Sequence, residues 1–551
     1  MKRALSIIAA VMIATAICAV PAKRGLWKTL KLADGTEVRG EMRGDEYSKY
    51  YRSEDGRLFV KDTATGLYTQ TDATAITAKA AKKRAASQAR RARKAAKAKA
   101  AVGETNGSYT GAKKGLIILV QFSDVKFKTA NNPALFKRIA NEEGFSSSAG
   151  FIGSVHDYFK AQSLGQFNLT FDVLGPVTMP KGYAYYGAPA DGSYDNDKNV
   201  ANMIIDACKA VDDQVDFNDY DWDGDGYADQ VFILYAGHGE ASSDDENTIW
   251  PHEWELKWAL YPNYEPVVLD GVKIDTYACG CELGETGSID GIGTICHEFS
   301  HCLGLPDMYD TEGDNYGMAV WSLMDYGSYN GDGFCPPNYT SYERMYAGWQ
   351  QPVELSTDQT VTGMKSLSDG GNAYIIYNDA HKDEYYLLEN RRQTGWDAEL
   401  PGSGLLILHV DYDAEVWYEN TVNTGSKQRC TIFHADNNDV FSLTSMKRDI
   451  YPYSSNNSLT NTSKPAATLY NANTDGTKYM NKPITEITRN GDGTVSFNFQ
   501  NLNVPSAITG ISADNSRTDS RIYSIDGRYI GNDLNVLNKG IYIVNGKKYI
   551  K

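Results

Sequence analysis

The densest chemistry in the chain lies in CHEFSHCLGLPD, Cys296 to Asp307. His297 and His301 stand four residues apart, so on a helix both imidazoles share one face, one turn apart, as two ligands of a single zinc ion require. Glu298 follows the first His. From there a carboxylate reaches a metal-activated water without ligating the metal and takes its proton as general base. Ile292, Ile295, Phe299 and Cys302 give apolar helical spacing, with Ser288 and Asp290 as candidate caps at the start. Gly304 is where such a helix should end, because Gly accepts a left-handed turn cheaply. The chain then returns to place Asp307 as third ligand, its charge offsetting the cation; Asp310 is the nearest substitute.

A second constellation is DWDGDGYAD, with Asp221, Asp223, Asp225 and Asp229 alternating around Gly226. Carboxylates so spaced converge on one hard cation, and the Tyr227 carbonyl adds another oxygen, so calcium in a structural role is expected. The segment is similar to the first part of an EF-hand loop and departs at its end, where Phe232 stands in place of the bidentate Glu. Asp244, Asp245 and Glu246 form a second acidic stretch, read as a solvated loop. His156, His238, His252, His381, His409 and His434 have no partner at ligand spacing.

The extended zinc motif resembles the metzincin-type metalloproteases, in which a Gly-containing stretch leads to a third ligand and later to a Met-turn. WSLMDYGSYNG, Trp321 to Gly331, then supplies Met324 as the Met-turn residue beneath the metal. Tyr326 matches a Tyr that in some of these enzymes stabilises the tetrahedral intermediate. HEFSHCLGLPDMYD, SLMDYGSYNG, ENRRQTGWDAELPGSGLLILHVD and IWPHEW together resemble the immune inhibitor A-like metalloproteases, over about Lys113 to Phe499 plus an N-terminal region. That resemblance implies a secreted, calcium-stabilised endopeptidase acting on proteins and peptides and made with a pro-region.

The elements that must position these residues fall into blocks. Alternating LWKTLKLADGTEVRGEM and YRSEDGRLFVKD, turning at Asp34-Gly35 and Asp55-Gly56, predict a small β-rich unit. Ala78 to Ala101 is almost all Ala, Lys and Arg, with ten basic residues and no acidic one between Lys79 and Lys99. It reads as a solvated, protease-sensitive linker, with attachment to an anionic surface as a further idea. Leu116 to Phe122 and Gln230 to Gly239 read as buried strands, and Ser154 to Phe167 and Asn199 to Val211 carry helical spacing. The fold class expected is therefore an α/β (α+β) metzincin-like catalytic domain. A β-rich domain, in the manner of a sandwich, and a small C-terminal β module follow it, and a β-rich pro-region precedes it. The boundaries are 1–22 signal peptide, 23–77 pro-region, 78–108 basic linker, 109–350 catalytic domain, 351–502 β-rich domain and 503–551 terminal module.

Composition sets the outer limits. A 551-residue chain exceeds one hydrophobic core, and 42% hydrophobic with 23% charged residues is ordinary for a globular protein. The net charge of −16 argues against nucleic acid as the partner. Lys2 and Arg3 before the apolar run Ala4 to Val20, with small residues at Ala19 and Ala22, read as a cleaved signal peptide, and no stable membrane span is expected. Without Cys18, seven Cys remain, an odd number that leaves at least one thiol unpaired. No other Cys precedes the linker, so latency by a cysteine switch is excluded and Asp45 is the candidate carboxylate, against its being a plain surface turn. IYSIDGRYIGN and LNKGIYIVNGKKYIK resemble the sorting domains of type IX secretion substrates. That implies outer-membrane secretion machinery as a partner and an extracellular location, with retention at the outer cell surface as a variant. The alternative to an enzyme is a non-catalytic surface adhesin binding through its Tyr-rich β-domain.

Overall fold

A computed structural model describes residues 18–500 apart from 47, 63–64, 85–108, 190–196 and 261–262, and residues 521–551 apart from 526 and 545–546. The apolar run at Leu116 is the centre of a six-stranded sheet. Its order is Cys18–Ala19, His252–Glu255, Thr276–Leu283, Val231–His238, Gly111–Gln121, Phe167–Thr178. The last four strands run parallel, whereas His252–Glu255 and Cys18–Ala19 are antiparallel at one edge. Helices cover both faces, which is why the central strands read as continuous apolar runs. Ile117 and Leu119 point into one core with Phe159 and Phe299, while Leu116, Ile118 and Val120 point into another with Ile204 and Ala207.

The first of those cores does not stop at residue 350. Strands Glu384–Arg391 and Gly404–Asp411 lie in a five-stranded sheet and are buried along their whole length. Leu387, Leu406 and Leu408 join the core of the metal-motif helix. Tyr386, Leu388, Leu405 and Ile407 pack with Val361, Phe497 and Phe499, which belong to a three-stranded sheet. Two sheets are layered as a sandwich would be, with the catalytic core as a third layer. Residues 1–500 accordingly form one compact unit, and residues 501–551 a second.

The N-terminal strands Trp27–Lys31, Glu37–Arg43, Tyr50–Ser53, Leu58–Lys61 and Tyr68–Thr71 form an antiparallel meander. Gly35 and Gly56 have φ of 86° and 84°, as the two Asp-Gly turns require. A helix, Ala73–Arg84, runs into the basic linker, whose remainder lies outside the described residues. In the terminal unit, strands Ile522–Ser524, Tyr529–Gly531, Ile541–Val544 and Lys547–Ile550 make one small sheet. Its two turn dipeptides include residues outside the described set. Among the described residues no helix is long and apolar enough to cross a membrane.

Candidate metal centre and active site

The metal-motif helix is Gly293–Cys302, and every residue in it is buried. It does not start where the polar caps suggested. Its N-cap is Ile292, without a side-chain cap, and Asp290 instead faces Cys281, its carboxyl pushed up to about 6 by burial. Close packing is the reason: a Cβ on Gly293 would lie 1.8 Å from the Ser328 carbonyl oxygen, and one on Gly291 would lie 2.1 Å from Gly333 backbone. Phe299 anchors the far side of the helix against Phe159, Phe171 and Trp222. Gly304 takes φ 91° just past the end, so the chain reverses as its type predicted.

The reversal brings three groups together. His297 Nε2 lies 3.2 Å from His301 Nε2 and 3.2 Å from Asp307 Oδ1, and His301 Nε2 lies 3.4 Å from the same oxygen. Each His donates its Nδ1–H to a carbonyl, His297 to Leu323 at 2.8 Å and His301 to Leu305 at 2.7 Å. That fixes the tautomer with both Nε2 lone pairs turned to the shared point. Asp307 Oδ1 is buried and meets no conventional hydrogen-bond donor among the described residues. Two imidazoles and one carboxylate oxygen, all buried and aimed at one point, match the donor set of a catalytic zinc site with a position left open. Asp310 spends its carboxylate on the amides of Glu312 and Asn315, at 3.0 Å each.

Asp307 is held by a residue that sequence reasoning missed. Asn420 accepts from the Asp307 amide at 2.7 Å and donates to Asp307 Oδ2 at 2.6 Å. Asn420 lies beyond the catalytic segment, 113 positions away, with a left-handed φ of 55°. Met324 is fully buried, and its carbonyl accepts from Met308 at 2.7 Å, so the turn around it braces both the Asp307 loop and His297.

Glu298 lies beside these groups, within one cluster with His297 and His301. Burial and the neighbouring Asp307 push its carboxyl well up. Its Oε1 accepts the Val20 amide at 2.9 Å, and Oε2 has no partner. Val20 belongs to a segment that adds to the sheet edge through Cys18 opposite Glu253 and Ala19 opposite His252. Tyr309 donates to the Ala19 carbonyl, Trp250 to that of Val20 and Tyr329 to that of Pro21, at 2.7, 3.0 and 2.7 Å. The Lys23 amide donates to Ala241, and the Arg24 guanidinium covers the rings of Tyr326 and Phe441. Tyr326 therefore borders this segment. Asp45 is buried in a turn and accepts the Ser48 amide at 3.1 Å.

In the acidic loop, Asp221, Asp223 and Asp225 bring carboxylate oxygens within 4.8 Å of one another. Asp221 also receives the amides of Gly224, Asp225 and Gly226, whereas Asp229 turns back to the Trp222 amide at 2.7 Å. Asp229 is thus not one of the converging three, and Tyr227 contributes its amide to Asp225 at 3.0 Å.

Residues 101–351 match the family described as immune inhibitor A peptidase M6, catalytic domain. The chain is 27% identical over 301 residues to immune inhibitor A of Bacillus thuringiensis subsp. alesti, covering 46% of this chain and 42% of that one. It is 27% identical over 238 residues to the pre-pro-metalloprotease PrtV of Vibrio cholerae serotype O1 (strain M66-2), covering 37% of this chain and 25% of that one. The chain thus spans less than half the length of either relative.

Proposed function

We propose that this protein is a secreted zinc-dependent endopeptidase, made as a latent precursor, that hydrolyses peptide bonds of proteins. The observation that carries the reading is the convergence of His297 Nε2, His301 Nε2 and Asp307 Oδ1 beside Glu298. His297, His301 and Asp307 would hold the zinc, which when bound acidifies water and polarises a carbonyl. Glu298, beside those groups, would take a proton as general base and return it to the leaving amine. The names of the two relatives and the peptidase family match support the reading. Tyr326, beside the cleft segment, is the proposed stabiliser of the oxyanion, and Asp221, Asp223 and Asp225 with their loop are the proposed calcium site.

Latency is supported by the path of residues 18–23. An antiparallel addition to the sheet edge that ends on the Glu298 carboxylate occupies the place a substrate strand needs. On this reading signal cleavage falls ahead of Cys18 and Val20 supplies the blocking contact, with Asp45 as the alternative. The terminal module is proposed as the export signal for the outer-membrane route. The test is metal analysis and caseinolysis on protein cut in the basic linker. We expect about one zinc per chain and activity lost to a strong chelator and to Glu298→Ala; activity that survives both refutes the proposal.

A further inference from the structure

Glu240, Asp244 and Glu246 are each met by a lysine of the N-terminal meander region. Lys49 Nζ lies 2.8 Å from Glu240 and 2.6 Å from Asp244, Lys28 Nζ 2.6 Å from Asp244, and Lys61 Nζ 2.7 Å from Glu246. Lys49 is the most enclosed, its side chain 19% exposed between acids at 13% and 12%. Lys49 and Glu240 stand at the wall of a cavity of about 130 Å³, which Trp250, Trp254 and Tyr277 line together with Tyr51 and Lys61 of the N-terminal region. A second observation places the cavity on the substrate track. Trp250 holds the Val20 carbonyl, and Lys23 donates to Ala241, the residue after Glu240. The segment that ends on Glu298 therefore runs past this cavity.

We infer that, once the N-terminal region has left, the Glu240–Asp244 pair is a subsite for a lysine side chain of the bound polypeptide, with Lys49 holding its place in the precursor. Trp250 and Trp254 offer apolar walls for the methylene stem, and the two carboxylates take the head. Departure of the N-terminal region takes Lys49 and Lys28 together and leaves the two carboxylates without a cation, a place that a substrate ammonium fills. The inference rests on the endopeptidase reading for its purpose, but its binding step is measurable without catalysis.

The test uses the full chain carrying Glu298→Ala, cut in the basic linker and washed free of its N-terminal region. Two fluorescent peptides differing only in Lys against norleucine are bound and followed by anisotropy. The Lys peptide should bind at least about ten-fold tighter, with the difference erased by Glu240→Gln/Asp244→Asn and reduced by Asp244→Asn alone. The uncut chain, with Lys49 in place, should show no preference. Equal binding of the two peptides overturns the inference, as does a preference that survives the double variant. Calcium binding at the pair without lysine preference overturns it too. With Glu298 intact, the same ratio should appear in kcat/KM. A lysine preference in binding with neither peptide cleaved leaves the subsite standing and sinks the endopeptidase reading instead.

Discussion

Asn420 grips Asp307 at both ends, accepting from its amide and donating to Oδ2. The second contact occupies one carboxylate oxygen and leaves Oδ1 facing the two imidazoles. An outer partner of this kind fixes which oxygen points inward and how the carboxylate is oriented. The segment beyond residue 350 thereby reaches the proposed metal site, and its core is continuous with that of the six-stranded sheet.

Asn420→Ala should keep the fold yet lower zinc affinity by about 10–100-fold, the usual effect of losing an outer-shell partner. Competition with a chromophoric chelator reads this directly. Unchanged affinity would show that the Gly304 turn alone orients Asp307.

The Val20 contact makes a different demand. Val20→Pro removes the one N–H that reaches Glu298 and leaves the segment otherwise intact. A hydrogen bond to an uncharged group contributes about 0.5–1.5 kcal/mol, so the uncut precursor should gain about 2–10-fold in basal peptide cleavage. The linker-cut form should not change. A precursor as silent as the wild type would place latency elsewhere.

Acid stability follows from two buried groups. Glu384 is held down to about 2, because His409, the Tyr470 amide and Asn378 outweigh the penalty of its burial. Its folded pKa lies below the unfolded value of about 4.3, so its stabilisation is complete above that pH and is lost as pH falls through about 2. His252 is pushed down to about 4 by burial, so below about 6.5 the unfolded chain takes a proton that the folded one refuses. Both terms erode stability on the acid side. Urea melts at pH 7, 5 and 3 should show a falling midpoint, and Glu384→Gln should flatten the fall between about pH 4.3 and 2 while costing about 1–3 kcal/mol at neutral pH.

What the sequence disclosed was local. His297, Glu298, His301, Gly304 and Asp307 lie within a dozen positions, and helix period plus one left-handed turn suffice to place them. Strand and helix positions around Leu116, Val155, Val200 and Val231 were legible from period for the same reason. Three features were not, because they depend on distant packing. Asn420 meets Asp307 only through the layering of Gly404–Asp411 on the catalytic core. Val20 meets Glu298 only because residues 18–19 add to a sheet edge formed more than 200 positions later. The helix start was misplaced because Gly291 and Gly293 are dictated by backbone at Ser328 and Gly333, not by capping chemistry.

The cysteines offer a test of processing as well as of structure. Cys208, Cys279, Cys281, Cys296, Cys302, Cys335 and Cys430 are all buried and none is joined in a disulfide among the described residues, although export would permit disulfides. Burial pushes the Cys208 thiol up to about 12 and that of Cys335 up to about 11, and raises Cys279, Cys281, Cys296 and Cys430, so little thiolate forms on these at neutral pH in the folded state. A thiol reagent should thus find almost none reactive in the native secreted protein and seven after denaturation. An eighth, expected only while the N-terminal region is still attached, would mean that Cys18 remains laid along His252–Glu255. Fewer than seven would mean that two of these sulfurs pair in solution.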